Sequence, residues 1–250
     1  MLETHFHGNV LELRLARPPV NALDTALLRT LAVSIRKAPR DGAKGIILSG
    51  APGMFSAGVD VPALLALDRD GVRGFWRDFF DTCCALAQSP IPVVAAISGH
   101  APAGGAVLSL FCDYRIMAEG PFRIGLNEVQ VGLPVPEAIQ MALRRVVGAY
   151  RAERLMVAGA MPEAAQALAL GLVDELTTQE QVTTRARHWL DELLKLPSHA
   201  MLATRRLARA DLMEAYADLD ALPVDSFMEA FYHPETQATL KALVARLKNK

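Results

Sequence analysis

The sequence predicts an α/β fold, because strand-like runs crowd its first half while helical periodicity fills the second. Two glycine loops reinforce the prediction. Phe55-Ser-Ala-Gly-Val-Asp60 follows the apolar run Gly45-Ile-Ile-Leu-Ser49, and Ala101-Pro-Ala-Gly-Gly105 follows Ile91-Pro-Val-Val-Ala-Ala-Ile97. The second loop opens directly into a helix-compatible stretch, Ala106-Val-Leu-Ser-Leu-Phe111. With 250 residues, the chain has room for one large α/β domain or a core with an appendage. The expected division is an α/β core over residues 1–196 and a helical C-terminal region over 197–250.

Each element has a local reason. Val10 to Leu15 alternates apolar and polar positions as a half-buried strand does, and Pro18-Pro19 ends it. Asp24 is placed to cap a helix running to about Lys37, with Leu27, Leu28, Leu31 and Ile35 at helical spacing. Ile46 to Leu48 reads as a short buried strand, and Pro62–Leu67 and Val72–Ala87 read as helices. The strand at Ile91, the second loop and its helix come next, then short strands at Tyr114–Met117 and Phe122–Gly125. Beyond Leu133 strand signals fade. Helices are expected at Glu137–Val147, Tyr150–Val157, Pro162–Leu170 (with Gly171 as C-cap) and Gln181–Leu194. From His199 to Lys250 the chain reads as helical, broken at Pro223 and Pro234. No sequence repeat or low-complexity segment stands out.

Composition narrows the function. An apolar fraction of 52% with 21% charged residues supports a sizeable core and argues against disorder. A net charge of −1 without a long basic run argues against nucleic acid as the principal partner. From Thr82 to Cys112 there is no Asp, Glu, Lys or Arg, a stretch long enough to span a bilayer. Pro90, Pro92, Gly99, Pro102, Gly104 and Gly105 divide it, so it reads as buried core and not as membrane. Cys83, Cys84 and Cys112 make no disulfide framework, and the first residues carry no secretory pattern. Both suit a cytoplasmic setting. His5 and His7 alternate on a possible edge strand, and no further ligand cluster suggests a metal.

The two loops carry the chemistry. Small residues let backbone approach a ligand, and a helix start offers free N–H groups at a positive dipole end. Two such loops can aim two donors at one oxygen, although either alone is equally a tight turn. A reaction at a carbonyl also needs a group that moves a proton, and the nearest candidate is Glu128 in Ile124-Gly-Leu-Asn-Glu-Val129. If buried among Leu126, Val129, Val131 and Leu133, its pKa rises and it becomes a usable base near neutrality. If exposed, it merely helps to cap the turn at Asn127.

Val20-Asn-Ala-Leu23, Phe55-Ser-Ala-Gly-Val-Asp60, Pro102-Ala-Gly-Gly105, Cys112-Asp-Tyr-Arg-Ile116 and Gly125-Leu-Asn-Glu128 resemble, in order and spacing, the crotonase (enoyl-CoA hydratase/isomerase) superfamily. Glu163-Ala to Gly171-Leu-Val-Asp174 extends the match over nearly the whole chain. The resemblance implies a right-handed spiral of ββα units and C-terminal helices used in trimer formation, as a homotrimer or a dimer of trimers. It also implies an acyl-CoA thioester as ligand, with CoA part of the substrate and no separate cofactor. In the family two backbone N–H groups form the oxyanion hole, at the positions of Val59 and Gly104 here. Backbone around Ala57, Val59 and Val61 is the implied adenine site.

The departure from the family is as informative as the match. Its hydratases use two glutamates, and one of those positions is Val107 in this chain while the other is Glu128. A valine moves no proton, so a two-carboxylate addition of water is in doubt. A one-base shuttle from C2 to C4 of a 3-enoyl-CoA is expected instead. The segment most resembles mitochondrial-type Δ3,Δ2-enoyl-CoA isomerases, in which the residue matching Glu128 is catalytic. Glu137 is the alternative base, because peroxisomal-type isomerases place theirs close by. Hydration, thioester hydrolysis, decarboxylation and non-catalytic acyl-CoA binding are the competing functions. His100, Asp60 and Asp113 are expected to be structural, and Trp76, Phe79 and Phe80 line either an acyl tunnel or plain core.

Overall fold

The structure is a computed structural model that describes residues 1–216, 222 and 224–248. The chain enters as an antiparallel hairpin, β1 (Leu2–His7) against β2 (Val10–Leu15), and β1 is the edge strand that carries His5 and His7. Helix α1 (Thr25–Lys37) follows. Asp24 caps it by accepting the Leu27 N–H at 2.8 Å, and Leu27, Leu28, Leu31 and Ile35 form its buried stripe.

From here the chain takes the same step three times. β3 (Gly45–Ser49), β5 (Val93–Ile97) and β7 (Tyr114–Ala118) lie parallel and adjacent in one large sheet. Each is followed by a short strand of a second sheet: β4 (Gly53–Met54), β6 (Gly99–Pro102) and β8 (Ile124–Gly125). A helical segment closes each step. These are α2 (Val61–Leu65) with α3 (Arg69–Ala87), then α4 (Gly104–Leu110), then a 3-10 turn at Glu128–Val131 leading to α5 (Glu137–Val147). Helices α6 (Ala149–Val157) and α7 (Ala164–Leu170) bring the chain to β9 (Glu175–Thr177), which completes the large sheet in the order β1-β2-β3-β5-β7-β9. The expected spiral of ββα units is present, followed by a helical C-terminal region.

The strand sequences follow from burial on both faces. Ile46, Leu48, Val93, Ala95 and Ile97 join the main core with α1, α3 and α4. Ile47, Val94, Ala96 and Ile116 face the other way, onto Val182, Ala186 and Leu190 of α8 (Val182–Leu193). Parallel strands covered on both sides read as continuous apolar runs, as these do. The uncharged stretch from Thr82 therefore becomes the end of α3, β5, β6 and α4, all interior. Among the described residues no helix is long and apolar enough to cross a membrane.

Of the remaining helices, α9 (Ser198–Ala208) buries no residue, whereas α10 (Ala210–Glu214), α11 (Val224–Phe231) and α12 (Pro234–Lys248) share the main core. Leu212, Tyr216, Phe227, Met228, Phe231 and Leu240 belong to the same cluster as α3 and α4. A buried ionic knot holds α9 and the turn after it. Asp113 accepts the Val93 N–H and two bonds from Arg205, each at 2.8 Å, and one from Arg209 at 3.2 Å. Arg205 and Arg209 also donate to the Ser89 and Phe111 carbonyls. Asp113 thus has the structural part expected of it.

Three short strands have no counterpart in the sequence reading: β4, β6 and β9. The β6 sequence, Gly-His-Ala-Pro, has little strand propensity, and β9 is a half-buried tripeptide held by pairing with Ile116–Ala118. Their existence is a tertiary fact. Pro223, an expected helix break, lies outside the described residues, whereas Pro234 opens α12.

Asp113→Ala leaves two arginines buried without their counter-charge, since the Arg205 and Arg209 side chains are only 11% and 8% exposed. We expect a stability loss of about 3–5 kcal/mol by urea unfolding. A loss below about 1 kcal/mol would show that the knot is dispensable.

Candidate active site

The short sheet β4-β6-β8 brings the site segments together. Met54 pairs with His100 and Pro102 pairs with Gly125, so the three parallel strands end side by side. Their C-terminal ends feed Phe55–Asp60, Ala103–Gly104 and Leu126–Glu128 respectively. Ligands in parallel sheets bind outside the carboxyl ends of strands, and these strands obey that rule.

The first loop is held from behind by Asn21, which is buried and left-handed at φ 51°. Its Oδ1 accepts the Arg17 N–H at 2.9 Å, and its Nδ2 donates to the Phe55 carbonyl at 3.1 Å and, more weakly, to that of Met54 at 3.3 Å. Ser56 Oγ donates to the Asn21 carbonyl and accepts the Gly58 N–H. The amides of Ala57 and Asp60 bond Val20 and Leu23. Every amide from Phe55 to Asp60 is thereby engaged except Val59: among the described residues no acceptor takes it. Gly104 is in the same condition, because it opens α4 and the first helical amides have no intrahelical partner.

Contact between the loops depends on missing side chains. A Cβ on Gly58, at φ +82°, would lie 3.2 Å from the Gly104 nitrogen and 3.2 Å from the Pro102 oxygen. One on Gly104 would lie 3.3 Å from Gly58 Cα and 3.0 Å from Leu23 Cδ1. Between them Ala103 sits at φ 44°, ψ −117°, a region that non-glycine residues avoid. Its N–H donates to the Gly125 carbonyl at 2.8 Å, and its carbonyl accepts the Val107 N–H at 2.9 Å, which fixes it there.

These loops form one wall of a cavity of about 720 Å³, within the range of small-molecule sites. Ala57, Val59, Val61 and Gly104 all line it, as do Asn127 and Glu128. Trp76, Phe79 and Phe80 of α3 and Phe227 of α11 form the apolar part, and Leu243 and Leu247 of α12 complete it. The α3 aromatics are both buried in the core and part of the cavity lining.

Glu128 is half-buried as a residue, yet its Oε2 is fully buried with no hydrogen-bond partner. Burial pushes its pKa up to about 7, against a smaller opposing effect of its own backbone N–H. The turn that carries it ends at Gly132, whose carbonyl accepts a bond from Thr236 Oγ1 of α12 at 2.8 Å. A C-terminal helix therefore steadies the turn that carries Glu128.

Two other acids are placed differently. Asp60 lines the cavity but binds Arg17 at 2.6 Å and caps α2 through the Ala63 N–H. Glu137 begins α5 with a 69% exposed side chain, pairs with Arg144 at 2.7 Å and is not among the cavity-lining residues. Val107 is fully buried and likewise outside the lining. His100 accepts the Arg123 N–H at Nδ1 and packs on Phe122, a structural arrangement. Among the described residues no group of His, Cys, Asp and Glu is placed to hold a metal ion. The sequence reading missed Phe227, Leu243 and Leu247, which come from distant helices and carry no local signal. It named Asn21 within a motif without seeing its clamp.

Two substitutions test this geometry. Gly58→Ala is expected to lose about 1–3 kcal/mol in urea unfolding from backbone strain and crowding. Gly53→Ala, at φ +80° with nothing within 4 Å of its Cβ, carries only the backbone part and loses less. Equal losses would show that the loop contact is slack. The folded chain holds the Glu128 proton up to about pH 7, whereas the unfolded chain releases it near 4.5. The resulting stability is complete below about pH 4.5 and is lost as pH rises through 7. Between pH 4 and pH 8, Glu128→Gln is therefore expected to gain about 3 kcal/mol relative to the parent. A difference independent of pH contradicts the burial.

Comparison with known proteins shows the family. The enoyl-CoA hydratase/isomerase family model matches residues 5–250. The human protein "Enoyl-CoA delta isomerase 1, mitochondrial" is 33% identical over 256 residues, covering 100% of this chain and 84% of the relative. The crystal structure of human mitochondrial delta3-delta2-enoyl-CoA isomerase superposes with a TM-score of 0.94 at 31% identity, over 99% of this chain and 98% of that one. "Probable enoyl-CoA hydratase echA17" of Mycobacterium avium is 37% identical over 195 residues, 77% of this chain and 75% of the relative. The chain belongs to the enoyl-CoA hydratase/isomerase family.

Proposed function

We propose that this protein is an isomerase that converts a 3-enoyl-CoA into the conjugated 2-enoyl-CoA. The observation that carries the reading is Glu128, whose Oε2 is buried without a hydrogen-bond partner, in a cavity whose other lining acid, Asp60, is tied up by Arg17. Glu128 takes the C2 proton, and the electron pair left behind moves onto the thioester oxygen as a dienolate. The Val59 and Gly104 N–H groups receive that charge as an oxyanion hole. The same carboxyl, now protonated, gives its proton to C4, and the double bond comes to lie between C2 and C3. Proton and electrons stay within Glu128 and the substrate, so the chemistry requires no separate cofactor or metal.

A carboxyl with a pKa of about 7 suits both halves of the cycle, since it is substantially ionised at neutrality and readily reprotonated. Val107 supports isomerisation over hydration, because it leaves the two-carboxylate addition of water without its second acid. Backbone at Ala57, Val59 and Val61 is the proposed adenine site. Exposed Tyr150 and Val157 of α6 and Leu168 of α7 offer apolar surface for a homotrimer or a dimer of trimers. The buried free thiols of Cys83, Cys84 and Cys112 fit a reducing cytoplasm. Hydration of a 2-enoyl-CoA is the second reading, favoured by the hydratase name of the mycobacterial relative.

Glu128→Gln is expected to lower turnover of a 3-enoyl-CoA by about 10²–10⁴-fold while a saturated acyl-CoA still binds. Glu137→Gln should keep most activity. In the parent, kcat/KM should rise with pH through about 7 and then level off, because the free enzyme needs the ionised carboxyl. Activity retained in the Glu128 variant rejects the assignment, and 3-hydroxyacyl-CoA formed rapidly from 2-enoyl-CoA favours the second reading.

A further inference from the structure

Helix α12 touches the site near both of its ends. At its start, Thr236 Oγ1 donates to the Gly132 carbonyl at 2.8 Å, and the Gly132 N–H donates in turn to the Glu128 and Val129 carbonyls. Two successive hydrogen bonds therefore join α12 to the backbone of the proton carrier. The approach is close. A Cβ on Gly132, at φ +80°, would lie 3.1 Å from Thr236 Cα and 2.8 Å from Thr236 Oγ1.

Further along, Leu243 and Leu247 line the cavity, as do Val61 and Pro62 of α2. Helix α12 also lies against α2, whose first residue, Val61, belongs to the proposed adenine site. This end of α12 thus meets the CoA portion of a bound thioester. The helix is otherwise lightly seated. Between Pro234 and Leu247 only Thr236 and Leu240 are buried, whereas Leu243 is half-buried and Leu247 is 54% exposed. Neither of these two leucines belongs to the main core. A ligand lying along them buries apolar surface and adds to what holds the helix in place.

We propose that Thr236 is a positioning residue through which binding of the CoA portion sets Glu128 for proton transfer. The CoA portion seats α12 at Leu243 and Leu247, and the Thr236–Gly132 bond passes that seating to the turn that carries Glu128. Binding energy from a part of the substrate that does not react then goes into orienting the base, and it shows in kcat and not in KM alone. The catalytic consequence rests on the isomerase reading, but the link between ligand and turn does not.

The test compares a 3-enoyl-CoA with the same acyl group on N-acetylcysteamine, which lacks the nucleotide and most of the pantetheine arm. The native enzyme is expected to show kcat at least about tenfold higher for the CoA thioester. Thr236→Val, which keeps the shape and removes the donor, should bring that ratio to about one by lowering kcat for the CoA thioester, and Thr236→Ser should restore it. The Kd of a saturated acyl-CoA should stay within about threefold of the native value in both variants. In the native protein, saturating acyl-CoA should slow hydrogen exchange at the Gly132 amide, and the saturated N-acetylcysteamine thioester should not. That measurement requires no variant to fold. A native kcat ratio near one, a ratio that persists in Thr236→Val, or equal protection of Gly132 by the two ligands overturns the proposal. So does a Kd in Thr236→Val that rises as far as kcat falls, which marks a merely structural role. If no 3-enoyl-CoA is isomerised, the functional reading fails separately, and the exchange comparison still decides whether α12 links the ligand to the turn.

Discussion

The site depends on two backbone segments approaching more closely than side chains permit. Gly58 and Gly104 meet where a Cβ on either would crowd the other loop, and Ala103 is driven to positive φ to make the approach. Nothing local to either loop demands this arrangement. It is imposed by the parallel alignment of β4, β6 and β8, which brings the carboxyl ends of three strands near one another and releases three loops into one cavity. The strain at Ala103 is sustained because its N–H and carbonyl are both engaged.

The second requirement is a carboxyl partly withdrawn from water: Glu128 is half-buried and its Oε2 fully so. Residues far apart in sequence line the cavity beside it. Val131 and Leu133 flank Glu128, α3 supplies three aromatic rings, and α11 and α12 add Phe227, Leu243 and Leu247. Helix α9 and the turn after it are anchored through Asp113, just beyond α4, the helix that Gly104 opens. Desolvation destabilises the ionised carboxylate and raises its pKa, a cost to the fold that is useful to a proton carrier.

How much of this was legible in sequence varies with the cause of each feature. Helix α1 was readable because its cap and apolar stripe are local, and β3 and β5 because burial on both faces writes a continuous apolar run. The loops were readable from their glycines, and Glu128 from its apolar neighbours and from the motifs shared with the family. β6 and β9 were not, since Gly-His-Ala-Pro and Glu-Leu-Thr become strands only through their partners. The clamp made by Asn21 and the lining from α11 and α12 are likewise properties of assembly. The exposure of Glu137 depends on the direction in which α5 leaves Pro136, and the sequence left that open.

The central claim is that one carboxyl carries hydrogen from C2 to C4. Isomerisation of a 3-enoyl-CoA bearing deuterium at C2, in ordinary water and within a single turnover, tests it most directly. A buried Glu128 acting alone predicts that a measurable share of the deuterium appears at C4 of the product. Complete loss of the label to solvent, with C4 taking its hydrogen only from water, would contradict it.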